Sequence, residues 1–265
     1  MNTVRIKNII IMILVLLNVM LLALLLSRRA EKHAARERAV HELVALYAAS
    51  GIELSPSLLP EECAYSVSEP VRDTEAEQRF ASLLLGEAAV EDIGGGIYRY
   101  AGNAGQCLIR SSGAVEASLD RQAGDADVFC EELLSTFGYT AVTPVSDVTN
   151  GTIEAVRTLG GGNVFNAGLT FSFSGGHLRS VTGIFLPPLA EVEGYTGMDA
   201  ITALVSFLDH SNASGTVCTR LIAIERGYLL QSSASAPLRL VPAWRIETDV
   251  SNYYVNLMTG EVIRE

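Results

Sequence analysis

After Lys32 the chain contains no lysine. A P-loop, a Ser-x-x-Lys nucleophile and a Schiff-base site each need that amine, so all three are excluded from the body of the protein. Cysteine is also scarce. Cys63, Cys107, Cys130 and Cys218 are widely scattered with no C-x-x-C pair, which removes zinc knuckles and thioredoxin-like redox motifs. They read as buried free thiols, with one or two disulfides left open for a domain outside the cytoplasm. His41-Glu42 begins like a zinc-binding H-E-x-x-H helix, but Ala45 stands where the second ligand belongs. His33, His177 and His210 have no ligand-spaced neighbours. The runs Gly94 to Gly96 and Gly160 to Gly162 miss the G-x-G-x-x-G spacing, since Arg99 and Phe165 replace the last glycine. They read as turns. No G-x-S-x-G elbow occurs, and no catalytic, cofactor-binding or metal-binding set is expected.

Asp125, Asp127, Glu131 and Glu132 form the one dense acidic cluster, but acids at a helix N-terminus are favoured by the helix dipole. Phe129 and Cys130 rule out a calcium loop there. Acidity nevertheless dominates the chain, whose formal net charge is −11. Seven of the 19 basic residues precede residue 39, so residues 39 to 265 carry 12 arginines against 28 acids, net −16. Such a domain repels phosphate backbones and anionic headgroups, which argues against nucleic acid and against a second, electrostatic membrane contact. Protein or small-molecule partners remain.

From Ile9 to Leu26 the run IIIMILVLLNVMLLALLL has no charge and a single polar residue, Asn18. Eighteen residues at about 1.5 Å each nearly match a hydrocarbon core of about 30 Å, so residues 9–26 read as a transmembrane helix. No small-residue cleavage site follows, and an uncleaved anchor is expected. Orientation is pulled two ways. Arg5 and Lys7 precede the helix whereas five basic residues follow it, which favours a cytoplasmic domain; an apolar segment at the extreme N-terminus behaves instead as a signal anchor with its domain exported. Asn18 in mid-membrane is tolerated alone in so apolar a span, or marks a helix partner, since interhelical amide bonds contribute about 0.6 to 2 kcal/mol.

Residues 1–8 form a short tail, and residues 27–60 a stalk helix and linker in which Val40, Leu43, Val44 and Tyr47 share one face before Gly51. Three stretches follow, 61–123, 124–190 and 191–265, each an amphipathic helix leading into strands. In the first, Thr74 and Glu77 suggest a capping box and Gly86 a stop. In the second, Asp125 starts a helix with Phe129, Leu133 and Phe137 on one face; Leu169, Phe171 and Phe173 then alternate into the turn Gly175-Gly176. In the third, Thr196 caps a helix ending near Asn212, followed by strands Val217 to Ile224, Tyr228 to Ser232, Pro242 to Thr248 and Tyr253 to Leu257. The expected fold class is α+β: an N-terminal transmembrane helix, then repeated units of one helix packed on antiparallel β-sheet.

The end of the chain carries a resemblance. Pro242-Ala243-Trp244-Arg245-Ile246, then Tyr253-Tyr254-Val255-Asn256, then Thr259-Gly260-Glu261-Val262 resembles the closing hairpin of PepSY-type and YycI-type domains. With the basic N-terminus, single anchor and repeated helix-plus-sheet layout, the chain looks like the YycH/YycI group of accessory proteins of bacterial sensor histidine kinases. The motif residues Pro242, Trp244, Arg245, Tyr253, Tyr254, Asn256, Thr259, Gly260 and Glu261 read equally well as hairpin structure. The resemblance implies an exported domain that regulates a membrane sensor kinase without catalysis or cofactor, with a paralogous accessory protein as a further partner and a homodimer left open. Asn18 is then the candidate partner-binding residue in the membrane. The PepSY likeness implies another use, holding a peptide or inhibiting a peptidase.

Overall fold

The computed structural model describes residues 2–60, 65–66, 69–122, 126–142, 150–187, 189, 194–195, 197–233 and 236–265. Cys63, Asp125 and Thr196 lie outside them. The chain divides into two compact units, Met1–Leu59 and Pro60–Glu265.

The first unit is dominated by α1 (Asn2–Ala49), one unbroken helix that takes in the apolar run and the basic stretch after it. It is the helix among the described residues that is long and apolar enough to cross a membrane. The apolar side chains from Ile11 to Leu26 are exposed, as a lipid-facing surface would be. Gly51, at φ +76°, ends α1 as expected: the Tyr47 carbonyl accepts from Ser50 and Ile52 N–H groups, both at 3.0 Å.

The second unit is α+β. Its elements are β1 (Tyr65–Ser66), α2 (Thr74–Leu85), β2 (Ala88–Gly94), β3 (Ile97–Gly102), β4 (Gly105–Arg110), β5 (Ala114–Gln122), α3 (Ala126–Phe137), β6 (Tyr139–Ala141) and β7 (Asn150–Leu159). Then come β8 (Gly162–Ser174), β9 (His177–Ile184), β10 (Gly194–Tyr195), α4 (Ala200–Ser214), β11 (Leu221–Ser233), β12 (Ala236–Thr248), β13 (Asn252–Asn256) and β14 (Val262–Arg264). Twelve of these strands form one sheet in the order β14-β13-β12-β11-β8-β9-β5-β4-β3-β2, with β7 on β8 and β6 on β7. Strands from all three of the stretches read in the sequence therefore share hydrogen bonds in a single sheet.

The glycine pairs do what their spacing suggested. Gly95-Gly96, Gly160-Gly161 and Gly175-Gly176 all have positive φ and close two-residue hairpins between Gly94 and Ile97, Leu159 and Gly162, and Ser174 and His177. Positive φ at both central positions matches the right-handed twist of the flanking strands. Helix ends differ by a few residues from the sequence pattern. Asp73, not Thr74, is the N-cap of α2, its carboxylate accepting from Ala76 N–H at 2.9 Å; an ionised cap also suits the helix dipole. Asp199 caps α4 in the same way, and that helix runs on to Gly215 rather than stopping at Asn212.

The main core packs α2 and α3 against β3, β4, β5, β7, β8 and β9. At its centre Phe80, Phe137 and Phe185 meet at ring separations of 5.6, 4.6 and 5.2 Å, from α2, α3 and the segment after β9. Such pairs add about 0.5 to 1.5 kcal/mol each beyond the area they bury. Arginines from neighbouring strands close both helices. Arg121 of β5 donates to the Leu83 and Leu84 carbonyls at the end of α2, and Arg157 of β7 to the Phe137 carbonyl at the end of α3. Both meet the unsatisfied carbonyls and the negative end of the dipole together.

The junction of the sheet lies in β8. Its register against β7 jumps from Val156–Gly168 to Arg157–Val164, so Phe165, Asn166 and Ala167 bulge out. On its other edge β8 pairs with β9 from Leu169 onward, but with β11 only at Asn163 and Val164, and there in parallel. The bulged Asn166 extends that short pairing: its side chain accepts from Leu230 N–H at 2.7 Å and donates to Leu230 C=O at 2.8 Å, as a strand residue would. Phe165 lies where a β-carbon on Gly227 would stand, 2.5 Å from its Cζ. The sequence pattern had split β11 in two at Glu225 to Gly227; the strand is continuous because the Gly227 gap is filled by a neighbour's ring.

The Asn166→Ala variant should lose about 1 to 2 kcal/mol, and Gly227→Ala about 3 kcal/mol because its methyl would displace Phe165 and the Asn163 carbonyl. The single tryptophan, Trp244, reports on the C-terminal strands. In thermal unfolding of both variants its fluorescence change should precede the far-UV circular dichroism change, whereas in the native protein the two should coincide.

Candidate functional site

The expected partner-binding residue of the membrane segment, Asn18, sits on the exposed surface of α1. Its Nδ2 donates to the Leu14 carbonyl at 3.0 Å. That bond uses one of two amide hydrogens, so a donor and the side-chain carbonyl remain to be directed sideways, toward whatever packs against α1.

The C-terminal motif residues come together in β12, β13, β14 and the turn between the last two. Trp244 and Tyr253 are buried, and the Tyr253 ring lies 5.0 Å from Phe207 of α4. Pro242 occupies the end of the β12–β13 ladder, where no N–H is needed, and its carbonyl accepts from Leu257 N–H at 3.0 Å. Asn256 is buried and organises the turn: its Oδ1 accepts from Met258 and Thr259 N–H groups at 2.8 and 3.3 Å, while its own N–H donates to the Glu261 carbonyl. Gly260 has φ +74°, and Thr259 Oγ1 accepts from Glu261 N–H. These residues build a turn.

Arg245 and Tyr254 face the other way. Arg245 reaches Glu225 at 3.2 Å and Glu247 at 3.5 Å, with its guanidinium 5.7 Å from the Phe165 ring. Tyr254 stacks on Phe165 at 5.3 Å. Burial and then the adjacent Glu265 carboxylate push its hydroxyl up to about 12. With Leu229, Val241 and Ala243, Tyr254 makes a small buried apolar cluster against which Phe165 and Met258 pack.

Two clusters were not legible as such. Glu77, read as half of a capping box, instead receives Nε and Nη2 of Arg72, at 2.7 and 2.9 Å, and the Tyr100 hydroxyl at 3.1 Å. Arg72 also donates to the Gly96 carbonyl at 2.7 Å and lies 4.4 Å over Tyr98. Burial, and then the Glu77 charge, raises the Tyr100 hydroxyl and pushes the Cys107 thiol up to about 12, which leaves that thiol inert. Every carboxylate oxygen is engaged, so the cluster bolts α2 to β3 and β4. On the sheet surface Asp120 accepts from His177 at 2.6 Å and Arg179 at 2.7 Å, and the His177 bond leads in holding its carboxyl below the usual range. The pair is open to solvent, where such contacts are weak.

Among the described residues no group of three or more His, Cys, Asp or Glu is placed to hold a metal ion. A cavity of about 360 Å³ is lined by His33, Arg36, Glu37, Val40, His41, Val44 and Pro56 of the first unit.

No known protein family's sequence profile matches the chain, and no curated protein matches it. Among solved structures, an uncharacterized protein from Eubacterium rectale ATCC 33656 is similar with a TM-score of 0.44 at 10% identity, over 78% of this chain and 87% of that one. The Bacillus megaterium YpeB C-terminal domain is similar with a TM-score of 0.36 at 11% identity, over 74% of this chain and 98% of that one.

The closing hairpin is tied to β11 by Asp249, whose carboxylate accepts from Thr219 N–H and Oγ1 and from Arg220 N–H. The Thr219 hydroxyl is the main reason its carboxyl titrates below the ordinary value. A depressed folded pKa contributes stability above the unfolded value, about 3.9, and loses it as pH falls through the folded value. Asp249→Ala should therefore melt below the native protein at neutral pH, and the gap in Tm should close as the pH is taken from about 5 to about 2.

Proposed function

We propose that the chain is a non-enzymatic, membrane-anchored regulator whose extracytoplasmic domain acts by protein–protein contacts on a two-component sensor histidine kinase. The observation that carries this reading is α1. One helix of about 70 Å joins the apolar span, with its single central amide, to the stalk without a break. Displacement or rotation of the span is then delivered rigidly to residues as far along as Ala49. Asn18 supplies the lateral contact, and its remaining amide groups fit a polar residue on a kinase helix or on a paralogous accessory protein. The kinase as the particular partner follows from the YycH/YycI resemblance of the layout and the closing motif.

The PepSY likeness of the closing motif, Pro242 to Val262, carries a second reading, a PepSY-type module that holds a peptide or inhibits a peptidase. Crosslinked co-purification from native membranes separates the two. A histidine kinase should be recovered with the full-length protein and fall at least about threefold with Asn18→Leu, the loss expected for one interhelical amide bond. Recovery of a peptidase and no kinase would discard the regulator in favour of the second reading.

The proposed topology places the N-terminus in the cytoplasm. A C-terminal alkaline phosphatase fusion should be active and a C-terminal green fluorescent protein fusion dark. The reverse pattern would put the domain in the cytoplasm, as counting the flanking charges suggests.

A further inference from the structure

We infer that the outer edge of β2 is a docking site for an extended, basic segment of a protein partner, which would join the sheet as its next strand. This names a surface for the protein-binding reading above and rests on it, but is tested without any kinase.

β2 ends the sheet, and among the described residues no strand pairs with its outer edge. An edge strand presents a row of unpaired N–H and C=O groups, and proteins blunt it by shortness, proline, charged side chains or bulges. The other terminal strands are blunted in the first way, since β14 and β6 have three residues each. β2 has seven and contains no proline; a register shift at Ile93 and the charges of Glu91 and Asp92 blunt its end next to the turn, and Ala88 to Asp92 pair with β3 in unbroken register. From Ala89 to Gly94 every residue is exposed on whichever face it occupies, and Val90 and Ile93 are 49% and 47% exposed. α2 approaches β2 and Ala88 packs against the main core, so the exposed stretch begins at Ala89.

The edge is also held ready. β3 is fixed by the Tyr100–Glu77 bond, and the turn that joins it to β2 is gripped by Arg72 at the Gly96 carbonyl. A docking strand would therefore add to a rigid ribbon rather than order a flexible one, which limits the entropy lost on binding.

Charge selects the occupant. β2 carries Glu91 and Asp92 at its middle and follows Glu87, in a domain of net −16. A second copy pairing antiparallel about the strand centre would set Glu91 against its own equivalent, and like charges directly opposite oppose pairing. An incoming strand that alternates apolar residues with arginine or lysine sets its cations on one face and meets Glu91 there with the opposite sign, while Asp92 faces the other way and accepts from Gly94 N–H at 2.8 Å. The ion pair of Glu91 with Arg99 of β3 shows that this position already accepts a cation from a neighbouring strand.

The test uses the full-length chain in nanodiscs of zwitterionic lipid and a fluorescein-labelled nonapeptide alternating valine with arginine. Anisotropy should rise to saturation, and backbone hydrogen exchange should slow within residues 88–93. The fully N-methylated peptide keeps every charge but has no backbone donor, and should bind at least about tenfold more weakly. The Glu91→Ser variant should weaken the parent peptide about threefold without removing the slowed exchange at saturation. Equal binding of the methylated and parent peptides would reduce the effect to general attraction by an acidic domain and overturn the inference. So would slowed exchange in another strand or in none. Slowed exchange of β2 that grows with protein concentration and no peptide would assign the edge to a second copy, and overturn it too.

Discussion

The second unit depends on how β8 is divided between two neighbours. Its second half pairs with β9 and carries the core built on α2 and α3; its first half gives β11 only two parallel register pairs. Two pairs are too few to hold four further strands in place, and parallel pairing is slightly less stable per residue than antiparallel. The bulge at Phe165 to Ala167 supplies the rest. It turns Asn166 into a surrogate backbone for Leu230 and lays Phe165 over Gly227, where it also reaches Tyr254 and Arg245. A second cluster of Leu159, Val164, Ala167, Leu186, Tyr228, Leu230 and Leu240 fills the space beside it. A local irregularity in one strand thus determines where β11 to β14 and α4 lie.

Buried charge is handled by one device used repeatedly. Arg121 and Arg157 spend their guanidinium groups on carbonyls at helix ends, and Arg72 spends its own on Glu77 and two further carbonyls. Arg157 is only 5% exposed and burial pulls its pKa down, but arginine stays protonated in proteins, and the carbonyl at the end of α3 meets its charge. The planar fork of arginine reaches two carbonyls from different elements, which a lysine ammonium does with less geometric control. The exposed pairs, Arg99–Glu91, Arg110–Glu116 and Arg179–Asp120, are worth little by comparison.

What could be read from the sequence followed locality. The long apolar helix, the Gly51 stop, the glycine hairpins and the apolar faces of α2, α3 and α4 depend on residues within a few positions of each other, and periodicity and turn chemistry reveal them. Thr74 misled because a threonine and a glutamate three apart fit a capping box as well as Asp73 fits a cap; only the distant Arg72–Tyr100 cluster claims Glu77. β11 looked like two strands because a partner 62 positions away in the chain, Phe165, replaces the side chain that Gly227 lacks. The closing motif was legible as a hairpin because Asn256, Thr259 and Gly260 satisfy one another locally. Which strand ends the sheet was not legible, because that follows from the β8–β11 and β5–β9 pairings rather than from anything within β2.

Charge divides along the chain as sharply as structure does. Seven basic residues flank or adjoin the apolar span before residue 39, and everything beyond is strongly acidic. At the membrane surface the first group is drawn toward anionic headgroups and the second is driven away from them. Screening confines both effects to about 8 Å at physiological salt, so the repulsion acts on whatever part of the domain comes close to the bilayer and leaves the remainder unaffected. The lipid surface is therefore a poor competitor for the domain's exposed strands. A basic protein segment would be attracted over the same range and could add backbone hydrogen bonds as well.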